Sequence, residues 1–361
     1  MFLAIRELVH AKFRYILIGV IMVLIAMLIF IISGLAKGLS ADNASAIQNL
    51  QADQVLIEKD VDQRITQSMF QADNLDAIQD IKGVEAATAL SINMTSTSEK
   101  GSEKKVDVAL FSTDINGMLI PDVSSGKSLS DPDKPALIVD SSMKQEGVKL
   151  GDKLEMDGFD QTFTVVGFTD NQRFSHTPVA YVSKGALGAA NEKVNAIGLQ
   201  VADGKNDAVQ SKLSGQYDLL SKDELLKGIP GYSQEQASLT MMIVFLFVIG
   251  TFVLAVFFYV LTLQKTDQFG VLKALGTKTS YLMRNVITQV VLISVVCIGI
   301  ALGLTYGASA LFPNDLPFDL NLANMLQFSS ILLVVTVLGS LLSLVQIVKI
   351  DPIRAIEGGA N

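Results

Sequence analysis

The chain is short of cysteine, histidine and charge, and each shortage removes a class of function. Its one cysteine, Cys297, rules out a disulfide within the chain and sits in an apolar run, where it is expected only to pack. The two histidines, His10 and His176, fall on opposite sides of the topology derived below and so cannot share a metal ion. His176, in "FSHTPVAY", reads as a surface or strand-end residue. A complete phosphate-binding loop is also missing. "SSGKS" at 124–128 has the end of one, but Pro121 stands where the required glycine should be. No nucleophile–base arrangement can be assembled, so the chain is expected not to be an enzyme.

Charge is the most telling shortage. Charged residues make up 18% of the 361, against about 25% in soluble domains. Four stretches carry none at all: 15–36, 236–264, 285–314 and 320–348. A bilayer core is crossed by about 20 apolar residues in a helix. Each ionised side chain at its centre costs roughly 2.5–3.5 kcal/mol on insertion scales. Four membrane-spanning helices are therefore predicted, near 16–36, 239–263, 286–311 and 326–348. The first could instead be a secretory leader, with "GLA" at 34–36 as a cleavage site. Leader cores run about 7–15 residues, however, and Ile16–Ile32 is unbroken for longer.

The charge that is present is sorted by segment. Residues 1–15 carry Arg6, Lys12 and Arg14 against Glu7. The stretch 264–285 carries Lys265, Lys273, Lys278 and Arg284 against Asp267, and the tail carries Lys349 and Arg354 against Asp351 and Glu357. The loop 312–325 has Asp315 and Asp319 and no base, and the long segment 37–236 is strongly acidic. The positive-inside rule puts both termini and 264–285 in the cytoplasm of a cell membrane, with 37–236 and the short acidic loop outside.

The outer segment mixes two periodicities. "QVLIEK", "KVDVALFSTD", "PALIVDSS", "FTVVGFTD", "PVAYVS" and "AIGLQVA" read as strands, "NLDAIQDIKGV" and "DAVQSKLSGQY" as helices, and 149–171 as a hairpin turning at Asp157-Gly158. The expected architecture is an α-helical membrane protein with four transmembrane helices and an inserted α+β extracytoplasmic domain. Its parts are an N-terminal amphipathic segment and first span (1–36), the outer domain (37–236), the other three spans with a cytoplasmic helix at 266–284 (237–349), and a cytoplasmic tail (350–361). Gly299, Gly303 and Gly307, spaced four apart in the third span, are expected to form a close-packing helix face.

Several stretches resemble the MacB/FtsX superfamily of ABC transporter permeases. "GVLKALGTKTSYL" is similar to its cytoplasmic coupling helix, "KIDPIRAIEGG" to its C-terminal signature, and "KLEMDGFDQTFTVVGF" to its outer-domain hairpin. Within that superfamily, "KFRYILIG", "FIISGLAKGL", "GIPGYSQEQASLTMMIVFLFVI" and "FFYVLTLQK" resemble the HrtB-type haem-exporting permeases. The resemblance implies a homodimer in membrane lipid, seated on a separate cytoplasmic ABC ATPase that binds the ATP. It implies no nucleic acid and no resident cofactor, with haem as the cargo. Val271, Leu272 and Leu275 would enter a groove of the ATPase, bounded by Gly270 and Gly276, while Lys273 and Lys278 met acidic groups at its rim. Haem would lie near the outer leaflet among Met27, Phe30, Lys37, Tyr232, Glu235, Met241 and Met242, with Lys37 at a propionate and Glu235 or Met242 at the iron. The sequence shows no histidine near the second span. Two other readings stay open: export of another hydrophobic cargo (lipid, lipoprotein or antimicrobial peptide), and FtsX-like transmission of ATPase motion to an outer partner. Methionine and tyrosine at the outer end of the second span favour haem.

Overall fold

The computed structural model describes residues 12–71, 75–101, 103–191, 193–313 and 316–349. The first eleven residues and the 350–361 tail, with most of the C-terminal signature, lie outside them. In chain order the elements are α1 (Lys12–Gln48), β1 (Gln54–Glu58), β2 (Phe70–Gln71), α2 (Leu75–Gln79), β3 (Val84–Glu99), β4 (Lys105–Thr113), β5 (Ser125–Gly126) and β6 (Ala136–Asp140). They continue with β7 (Lys153–Met156), β8 (Thr162–Thr169), β9 (Arg173–Phe174), β10 (Thr177–Ser183), β11 (Lys193–Val194), β12 (Ala196–Val201), α3 (Asn206–Leu213), β13 (Tyr217–Leu220) and α4 (Lys222–Lys227). The chain ends in four helices, α5 (Tyr232–Leu263), α6 (Thr266–Ala274), α7 (Thr279–Ser309) and α8 (Leu322–Lys349). It divides into a helical unit, 1–38 with 237–361, and a β-rich unit, Leu39–Gln236.

In the helical unit α1, α5, α7 and α8 are each long and apolar enough to cross a membrane. α1 turns Tyr15, Ile18, Met22, Ala26, Ile29 and Phe30 inward at helical spacing, against Leu254, Phe258 and Leu261 of α5 and Val290, Ile293 and Cys297 of α7. Cys297 is buried there, as a packing residue should be. The face bearing Gly299, Gly303 and Gly307 is not packed against the described residues of this chain. A side chain built at any of the three meets nothing within 4 Å, because α7 buries a different face, through Val290, Ser294, Ile298, Ala301 and Thr305.

A close backbone approach lies elsewhere. Gly34 and Gly38 of α1 receive the segment before α8: Asp319 donates its backbone N–H to Gly34 O at 3.1 Å, and a methyl at Gly34 would fall 2.6 Å from the Phe318 ring. A methyl at Gly38 would collide with the Pro317 carbonyl, which is backbone and cannot step aside. Gly38→Ala is therefore expected to cost about 1–3 kcal/mol, the usual range for overpacking. It should read as a lower melting temperature of the detergent-solubilised chain. Gly299→Ala, into open space, should leave melting unchanged, and equal effects of the two would refute the contact.

The β-rich unit is a mixed sheet in the order β13-β1-β12-β3-β4-β10-β6-β8-β5, with β7 on β3 and β8 and β9 on β10. The pairs β4/β10 and β6/β8 are parallel and the others antiparallel. β6, "ALIVD", is buried at every position, as a central strand covered on both faces must be, whereas β7 alternates exposed and buried. One face carries Ala44, Ile47 and Leu50 beside Phe111, Ile138, Phe174 and Tyr181. Ala44 and Ile47 explain why α1 outruns its apolar stretch and continues to Gln48: its last turns are held by packing. The expected hairpin at Asp157-Gly158 is present, with Glu155 paired to Thr162 and Gly158 at φ 87°.

Candidate functional site

Two groups of polar side chains stand out, one in each unit. In the β-rich unit the last turns of α1, the first turn of α5 and the β9–β10 hairpin meet. Two hydrogen bonds join the helices: Ser40 Oγ lies 2.9 Å from Tyr232 Oη, and Asn43 Nδ2 donates to Glu235 Oε2 at 3.1 Å. The hairpin sits across them. Ser175 N–H donates to Asn43 O at 2.7 Å, and Arg173 N–H to Ser45 Oγ at 2.9 Å. Arg173 Nε lies 2.5 Å from Asp42 Oδ1, an ion pair outside hydrogen-bond geometry. His176 Nδ1 is 2.7 Å from Asp42 Oδ2, and its Nε2 is 3.3 Å from Glu235 Oε1.

This cluster corrects the sequence reading. His176 is a hairpin residue, but the fold brings it onto the first turn of the second span's helix, where the sequence showed no histidine. Asp42, Asn43 and Arg173 were not singled out either. The local signal was weak, because the two-residue hairpin loop, Ser175-His176, has no Gly or Asn.

The other expected cargo residues separate. Met241 and Met242 are 58% and 46% exposed on α5, free to face lipid or a ligand. Phe30 is buried in the helical core with Met27 packed partly against it, so Phe30 does not wall an open site. Lys37 is half-buried on α1.

The second group lies where α5 gives way to α6. Lys265 breaks the helix at φ −102° and is 9% exposed. Its ammonium donates to Tyr15 Oη at 2.8 Å and to Gln289 Oε1 at 3.3 Å, joining three helical segments. Phe269 of α6 is anchored among Leu282, Val286 and Ile347.

α6 is shorter than the expected 266–284 helix: Ala274 ends it, Gly276 turns at φ 89°, and Lys278 already caps α7. Gly270 lies buried within it and does not bound it. The three apolar residues expected on one side divide. Leu272 packs partly against the Phe269 group, while Val271 and Leu275 are 45% and 78% exposed. Lys273 reaches back to the Ile347 carbonyl at 2.6 Å, a cation on the last turn of α8 where the helix dipole favours one, so it is not an outward rim group. Lys278, Ser280, Tyr281 and Arg284 line an open basic groove beside Leu272 and Thr277.

Comparison with known proteins adds to this geometry. The FtsX-like permease C-terminal family matches residues 240–352. A protein of Staphylococcus epidermidis named "Putative hemin transport system permease protein HrtB" is 30% identical over 99% of both chains. A protein of the same name from Staphylococcus haemolyticus is 29% identical over 99% of both. Among solved structures, the periplasmic region of MacB from Actinobacillus actinomycetemcomitans overlaps 51% of this chain and 96% of its own at 12% identity. The TM-score of that overlap is 0.39.

Proposed function

The chain belongs to the FtsX-like ABC transporter permeases, in the group that includes HrtB, and on that premise we propose that it exports haem as the membrane subunit of an efflux pump. The full-length identity to permeases named for hemin transport carries this reading. The exposed pair Met241 and Met242 on α5, with Tyr232 and Glu235 at that helix's first turn, supports it. Methionine is soft and adaptable against a flat apolar ring, and a carboxylate or thioether can reach an iron. Two protomers would carry these residues in lipid. A separate cytoplasmic ATPase would bind the ATP, and α6, with exposed Val271 and with Leu275 just past its end, would receive that subunit's motion. Adding haem to the purified chain in nanodiscs should shift and sharpen the haem absorption band with saturation. A spectrum identical to that of haem in empty nanodiscs would remove haem as the cargo.

The same reading places both termini and α6 in the cytoplasm and the β-rich unit outside. In intact cells, Lys134→Cys should react with a membrane-impermeant thiol reagent while Lys278→Cys does not. The native Cys297 is buried and gives little background. The reverse labelling pattern would invert the topology.

A further inference from the structure

We propose that the β9–β10 hairpin is a pH-sensitive clasp, with His176 as the cation that fastens it across α1 and α5. Each ring nitrogen of His176 faces a carboxylate, Asp42 on α1 at 2.7 Å and Glu235 on α5 at 3.3 Å. A neutral imidazole has one N–H and can donate to only one of them; the imidazolium donates to both. Charge counting agrees. Among the described residues the charged groups meeting here are Asp42, Glu235, Arg173 and, when protonated, His176. Two carboxylates and one guanidinium leave a negative charge uncompensated, and the protonated histidine balances it. Asp42 and Glu235 are only 20% and 31% exposed, so solvent screens that imbalance incompletely.

The backbone argues the same way. Ser175 and His176 hold φ of 50° and 64°, left-handed values that a two-residue hairpin normally gives to Asn and Gly. Ordinary residues persist there only when the surroundings impose the conformation, and such positions gather at switches and clamps. Three contacts impose it: Ser175 N–H on Asn43 O, the Arg173 guanidinium on the His176 carbonyl at 2.6 Å, and the His176 ring on the two acids. The bonds Ser40–Tyr232 and Asn43–Glu235 join the helices without the histidine. Protonation therefore controls the seating of the hairpin rather than the helix pair itself. The clasp closes in acid and loosens in base, independently of what the protein carries.

Hydrogen exchange on the full chain in nanodiscs tests this without a ligand. After correction for intrinsic rates, the Ser175 amide should lose protection at least tenfold between pH 6 and pH 8.5, while the β3–β4 amides do not change. In His176→Gln, which has one amide donor and no titration, protection should be lower and the same at both pH values. Asp42→Asn with Glu235→Gln, which removes both charges, should also abolish the pH dependence. Wild-type protection that does not vary with pH overturns the proposal, and the wild-type measurement is unaffected if a variant fails to fold. So does a pH dependence that survives in His176→Gln.

Discussion

Replacing both Val271 and Leu275 by aspartate should disconnect the permease from its ATPase while leaving the permease folded. Val271 near the end of α6 and Leu275 just past it are 45% and 78% exposed, on a short element whose other side is fixed by Phe269 in the Leu282, Val286 and Ile347 group. An amphipathic helix docked in a partner groove gains about 1.5–3 kcal/mol from each fully buried aliphatic side chain. Losing two, and burying two carboxylates in their place, should weaken docking by at least about a hundredfold. The reconstituted complex should then lose its cargo-stimulated ATP hydrolysis. Leu272→Asp supplies the contrast. Leu272 packs partly against the Phe269 group, so its loss should lower the melting temperature of the permease alone, a change the outer pair should not produce. Full stimulated hydrolysis in the double variant would mean that α6 is not the coupling element.

The sequence showed the membrane architecture well because one strong effect governs it. Charge excluded from four long stretches marks four helices, each beginning before its predicted span, since nothing else offsets an ionised group in hydrocarbon. Strands with continuous apolar runs, such as β6 and β10, were equally plain. β3 was not. "VEAATALSINMTSTSE" is rich in alanine, serine and threonine, and it is a strand because β12, β4 and β7 bond to it, which no local pattern records. α1 likewise continues past its apolar run for tertiary reasons. The misjudged site residues follow one rule. Spacing shows that a residue lies on a helix but not which face meets the neighbours, so Phe30 was placed outward when it is buried, and Leu272 when it packs partly against the Phe269 group. His176 was missed for a different reason: it is 59 residues from Glu235 and only the sheet topology brings them together.

Glu235→Ala combined with Met242→Leu should reduce haem binding at least tenfold and make cells sensitive to toxic haem. Met242 is 46% exposed on α5, and Leu keeps its bulk and hydrophobicity while removing the thioether, so a loss reports on the sulfur and not on packing. Glu235 is harder to isolate, because its two oxygens already accept from Asn43 and face His176. Removing it also removes an attachment point of the hairpin. His176→Gln separates the two effects, since it releases the hairpin's charged contact but keeps the carboxylate. If Glu235 acts on haem directly, His176→Gln should retain most of the binding that Glu235→Ala loses. If the carboxylate only holds the hairpin in place, the two variants should lose binding together. Each single change, Glu235→Ala or Met242→Leu, should fall between wild type and the double variant if both groups contact the cargo. Haem binding and haem resistance that both survive the double change would place the site elsewhere on the protein or exclude haem as the cargo.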